Sequence, residues 1–171
     1  MLDKAKNKIF TIPDFSLTYN EMSGNNHNKL FLVCPLCRLE RFISSHYENA
    51  FFMTAPAGIF RFEADESQII HDFIKREKIT DVYFVGEMSC NFINLVMKVG
   101  GYSGRFCEFE IGKLKTCSDT IETLTEKLLR YEAFKMKSVE IFRNDLLSGK
   151  YNLHLLIANK HKNEIREILP E

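Results

Sequence analysis

The chain has 171 residues, 45% of them apolar and 27% charged. Lysines plus arginines number 23, as do aspartates plus glutamates, so the formal net charge is zero, and charge gives no reason to expect nucleic acid or an acidic membrane as a partner. No apolar run reaches membrane-spanning length, and the length suits one domain with its own core.

Residues 1–28 are polar and broken by Pro13 and by Ser23-Gly24-Asn25-Asn26, which predicts an amino-terminal arm. It lacks the apolar stretch of a signal peptide. Residues 29–171 form the predicted domain. Lys29 to Val33 reads as a strand, and Arg38 to Tyr47 as a short helix with Leu39, Phe42 and Ile43 on one face. Ala50 to Thr54 is a second strand, closed by Ala55-Pro56-Ala57-Gly58. Asp65 starts a helix, with Gln68 completing a capping box and Ile69, Ile70, Phe73 and Ile74 forming its apolar face. Asp81 to Val85 is a short, β-branched and aromatic run, expected as a buried central strand that Gly86 ends.

Cys90 to Val99 is predicted helical and stopped by Gly100-Gly101. Phe106 to Ile111 reads as an extra strand or an ordered loop. Ser118 or Asp119 caps the longest helix, which runs to about Lys137. Ser138 to Phe142 and Tyr151 to Ala158 read as strands, and Asn163 to Leu169 as a strand or short helix. Strands alternating with helices define the fold class: a single α/β domain with a mainly parallel sheet flanked by helices on both faces.

Five cysteines, Cys34, Cys37, Cys90, Cys107 and Cys117, are odd in number and irregularly spaced. That opposes a secreted disulfide framework and favours a reducing, cytoplasmic setting. Cys107 and Cys117 read as structural. Zero net charge with 15 phenylalanines hints at limited solubility as a monomer, and so at a homodimer. Cys34 and Cys90 each follow a predicted strand. If both strands lie in one parallel sheet, both thiols emerge at its carboxyl edge, where open α/β folds place ligands. Two small buried thiols fit the same positions.

The order of these elements resembles the β-class carbonic anhydrases, from about Lys29 to Val99 and more weakly from Leu124 to Leu169. Where the family has Cys-x-Asp-x-Arg, this chain has Cys34-Pro35-Leu36-Cys37-Arg38; where it has His-x-x-Cys-Gly, the chain has Glu87-Met88-Ser89-Cys90-Asn91. Ala55-Pro56-Ala57-Gly58-Ile59 stands at the family's Arg-Asn-Ala-Gly-Asn. The resemblance implies the family fold, a dimer and a zinc ion whose bound water attacks carbon dioxide. It carries Cys34, Cys90 and, in place of the histidine, Glu87 over as metal ligands. Arg38 is carried over as the arginine of the catalytic pair, whose aspartate has become Leu36. Glu87 either ligates the metal or pairs with Arg38 in a metal-free pocket. Two thiolates and a carboxylate carry one more negative charge than the family's set, against the direction that hydration needs. Weak or no hydration of carbon dioxide to bicarbonate is therefore expected.

Cys37 opens two further readings. It can replace the missing histidine on zinc, since a two-residue spacer suits tetrahedral sulfur sites. Cys34-Pro35-Leu36-Cys37 between a strand and a helix is also the setting of a thiol–disulfide redox motif. His46, His71, His154 and His161 are expected on surfaces or at strand edges. Gly100-Gly101-Tyr102-Ser103-Gly104 follows a helix and lacks a Lys-Ser/Thr, so it is no phosphate loop.

Overall fold

The structure, a computed structural model, describes residues 27–98 and 101–169; nearly all of the expected amino-terminal arm lies outside them. Five strands form one sheet: β1 (Asn28–Val33), β2 (Ala50–Thr54), β3 (Ile79–Glu87), β4 (Asn152–Asn159) and β5 (Glu164–Ile168). Their order is β2-β1-β3-β4-β5. The first four run parallel, and β5 returns antiparallel to β4. The helices are α1 (Glu40–Ser44), α2 (Ala64–Arg76), α3 (Asn91–Met97), α4 (Phe106–Leu114), α5 (Ile121–Ser138) and α6 (Glu140–Leu147).

Alternation along the strands divides the core in two. Phe31, Val33, Tyr83, Val85, Leu156 and Ala158 face one side, with Ile43, Ile93 and Ile111 from α1, α3 and α4. Leu30, Leu32, Val82, Phe84, Leu153 and Leu155 face the other, with Ile70 and Phe142 from α2 and α6. The α5 helix spans both, giving Leu124 and Leu128 to the first and Leu129, Ala133 and Met136 to the second. Covering both faces forces a parallel sheet to be apolar on both.

From β1 the chain moves outward to β2, then crosses back to β3 and onward to β4. The paired strands β1 and β3 are therefore the point where the winding reverses, and a crevice opens at their carboxyl ends.

Several elements differ from expectation. Gly86 lies inside β3, which continues to Glu87. The segment expected as a strand or loop is helix α4: Cys107 and Ile111 are buried four residues apart, a helical and not a strand spacing. Val139 starts a second helix, α6, where a strand was expected. The α2 helix is capped by Glu63 without a side-chain bond, and the expected capping box is not made; Gln68 instead bonds Asp72 at 2.8 Å. The cap of α5 is Thr120, which forms a capping box with Thr123, while Asp119 turns to Lys127 and the Thr116 amide.

Candidate metal centre

Cys34 is the first residue past β1. Pro35 opens a 3-10 turn over Pro35–Cys37; its fixed φ suits the first helical position, and its missing N–H is no loss there. The Cys37 amide closes the turn onto the Cys34 carbonyl at 3.1 Å. Arg38 ends it in the left-handed region, φ 50°. Lys160, just past β4, donates to the Cys37 carbonyl and ties the turn after β1 to the end of β4, across β3. On the other segment, the Cys90 amide bonds the Glu87 carbonyl at 3.0 Å, and Cys90 leads into α3.

These two segments bring Cys34, Cys37 and Cys90 together. All three are buried, and their Sγ atoms lie within 4.8 Å of one another. The thiols share hydrogen bonds. Those from Cys37 and then Cys90 hold Cys34 down to about 3 against the effect of burial, with help from the Leu36 and Ala57 backbone. The same bonds work in reverse on the partners. Cys34 and burial push Cys90 up to about 11, although Cys37 pulls the other way, and Cys34, Cys90 and burial push Cys37 up strongly. The three thiols thus act on one another as a single buried group, and the loss of a proton from one makes loss from the others harder.

Glu87 is 1% exposed. Its Oε1 accepts the Ser89 hydroxyl at 3.0 Å and the Ser89 amide at 3.3 Å. Its Oε2 is buried and has no hydrogen-bond partner. The group of mutually close ligating atoms does not include this carboxylate. Arg38 is exposed, and among the described residues it forms no ion pair with Glu87, so the expected neutralisation of the two is not made. Leu36 is 57% exposed.

The donor set fits a zinc ion. With Zn–S near 2.3 Å, tetrahedral geometry sets ligand sulfurs about 3.8 Å apart. Binding there would release the protons of the coordinating thiols.

Other expected residues lie elsewhere. Cys107 is buried in α4, whereas Cys117 is exposed, contrary to a structural role. His71 is not on the surface. It is 6% exposed and bonds Asp145 at 2.9 Å. Lys160 was missed as a support of the site, and nothing local in the sequence signals its reach to Cys37.

The fold and site define an α/β sheet protein with a three-cysteine cluster at its winding reversal. No family model matches the chain, and no curated protein matches it by sequence. Solved structures do match in fold. A variant of the β-carbonic anhydrase CafD of Aspergillus fumigatus superposes with a TM-score of 0.73 at 12% identity, covering 96% of this chain and 99% of that one. One of two tetrameric β-carbonic anhydrases from Sordaria macrospora gives 0.66 at 11% identity, covering 85% and 82%. The Coccomyxa β-carbonic anhydrase in complex with acetazolamide gives 0.65 at 12% identity, covering 83% and 72%. The chain has the β-carbonic anhydrase fold.

Proposed function

We propose that this chain is a carbonic-anhydrase-like protein with an altered metal site, in which Cys34, Cys37 and Cys90 hold zinc and carbon dioxide hydration is weak or missing. The observation that carries this reading is the mutual approach of three buried sulfurs within 4.8 Å, supported by the shared fold. Bound there, zinc would supply Lewis acidity, blunted by three thiolate charges. The chain's own residues do little to help hydration. Leu36 offers no acceptor for a proton, and Arg38 faces solvent. Ile59 stands where the resemblance expects a polar side chain. Glu87, three residues before Cys90, is buried with one oxygen that makes no hydrogen bond. The free cysteines suit a reducing cytoplasm, and zero net charge suits a homodimer. If hydration survives, carbon dioxide and bicarbonate are the substrate pair.

Elemental analysis of the purified chain tests this reading, with about one zinc per chain expected. Loss of metal in C34S and C90S, but not in C117S, is expected alongside. A metal-free wild type would leave the alternative, a non-catalytic descendant of the fold. A hydration assay on the wild type and on the L36D/E87H double variant then tests whether restoring the two family residues restores activity.

One observation favours a second reading. Cys34 and Cys37 stand at the two ends of a Cys-x-x-Cys turn, with their sulfurs within 4.8 Å of each other. A thiol redox protein would show a reversible Cys34–Cys37 disulfide in redox buffers and no bound zinc.

A further inference from the structure

A cavity of about 450 Å³ opens at the same edge of the sheet, outside the cysteine cluster. Leu36, Ile59, Phe92 and Phe106 form its apolar walls, and Arg61 and Arg105 stand among them. Each guanidinium lies over an aromatic face. The Arg61 Cζ is 5.3 Å from the Phe106 ring centre, and the Arg105 Cζ is 5.5 Å from that of Phe92. Such stacking holds a guanidinium flat and leaves its in-plane N–H groups free to donate.

Both arginines are exposed, and among the described residues neither forms an ion pair with a carboxylate. The carboxylate electrostatically coupled to Arg105, that of Glu108, is engaged by the Ser103 amide and hydroxyl. An adjoining hollow shares Ile59, Arg61 and Phe106 and adds Glu63, Glu110 and Lys135; Glu110 is paired with Lys113 at 2.6 Å.

From this we propose that the cavity binds an organic monocarboxylate with a flat apolar body. Two forked donors match a carboxylate, and the volume is that of a small-molecule site. A bare small anion would leave Phe106 and Leu36 wet. A neutral apolar molecule would cover the walls but leave the guanidinium donors without an acceptor. The proposal does not rest on metal in the cysteine cluster.

Calorimetric titration of the full chain with naphthoate, naphthalenemethanol and acetate tests it. Naphthoate should bind, with the alcohol and acetate each at least about tenfold weaker. R61M and R105M should each weaken naphthoate about tenfold with unchanged melting temperatures, since both side chains are exposed. Equal binding of acetate and naphthoate would reduce the site to a small-anion contact and overturn the proposal. So would equal binding of the alcohol, no binding of naphthoate, or arginine variants that bind as the wild type does. The ligand comparison on the wild type stands even if a variant folds poorly, and zinc content is read separately.

Discussion

The Ser89 hydroxyl donates to Glu87 Oε1 at 3.0 Å, and the other oxygen of that carboxylate is buried without a partner. Glu87, three residues before Cys90, thus has one oxygen anchored and one without a hydrogen bond. If Cys37 rather than Glu87 completes the zinc set, the two residues respond differently to substitution. E87Q should keep zinc, with affinity reduced by at most about ten- to a hundredfold, because only a residue outside the ligand set changes. C37S should lose it under the same chelator competition. Metal retained by C37S and lost by E87Q would restore the carboxylate to the ligand set.

His71 and Asp145 join α2 to α6 through a buried contact of 2.9 Å, with both side chains 8% exposed. Burial opposes the Asp145 charge, but Lys150 and His71 outweigh it and hold the carboxyl below its usual range. D145N leaves His71 facing a weaker partner and should destabilise the fold by about 2 kcal/mol at neutral pH. A carboxyl lowered by folding stabilises above its unfolded value and loses that contribution as pH falls further. The gap between D145N and wild type should therefore narrow below about pH 4. Urea melts at neutral and acid pH would measure it.

The strands that position the site were legible because their signals are local. Leu30 to Val33 and Val82 to Val85 are apolar runs bounded by turn-formers; Cys34 follows the first directly, and Cys90 lies five residues past the second. The parallel pairing of those strands then brings the two cysteines to one edge. What escaped was set by distant partners. Nothing near His71 points to Asp145, 74 residues away. Phe106 to Ile111 and Ser138 to Phe142 have too few apolar positions to separate a strand period from a helical one. In α4, Phe106 and Phe109 are exposed while Glu108 is buried, so its hydrophobic pattern opposes its burial. The pocket arginines carry no signal, because Arg61 and Arg105 come to line one cavity only in the folded chain.

Glu132 in α5 is 1% exposed and accepts the Phe60 amide at 3.0 Å. Burial pushes its carboxyl up to about 7, with Lys135 and the Phe60 amide pulling down and Glu66 pushing up. A carboxyl raised by folding stabilises fully below its unfolded value, and that contribution is lost as pH rises through the folded value. The wild type should lose about 3 kcal/mol from this group between roughly pH 4.5 and 7. E132Q keeps an acceptor for Phe60 and should flatten that part of the profile. Chemical denaturation of both proteins at pH 5 and pH 8 (roughly either side of the transition) checks the slope. An unchanged slope in E132Q would assign it to another group.

Gly86 is required by the approach of α5 to β3. A Cβ placed there would stand 2.4 Å from Thr125 Cγ2, with Leu129 Cδ1 next at 3.4 Å. Thr125 cannot swing aside easily, because it is buried and its hydroxyl is bonded to the Ile121 carbonyl at 2.7 Å. G86A should therefore cost about 2 to 3 kcal/mol through overpacking. T125S removes the clashing methyl and keeps the hydroxyl. The G86A/T125S double variant should recover much of the loss, as a coupling in a thermodynamic cycle. Gly86 immediately precedes Glu87, so strain relieved by shifting β3 would move Glu87 and Cys90 away from Cys34 and Cys37. G86A should then lose zinc more readily than its own melting temperature explains, and T125S should restore both. A destabilised G86A that holds zinc as the wild type does would show that the strand absorbs the methyl without disturbing the cysteine edge.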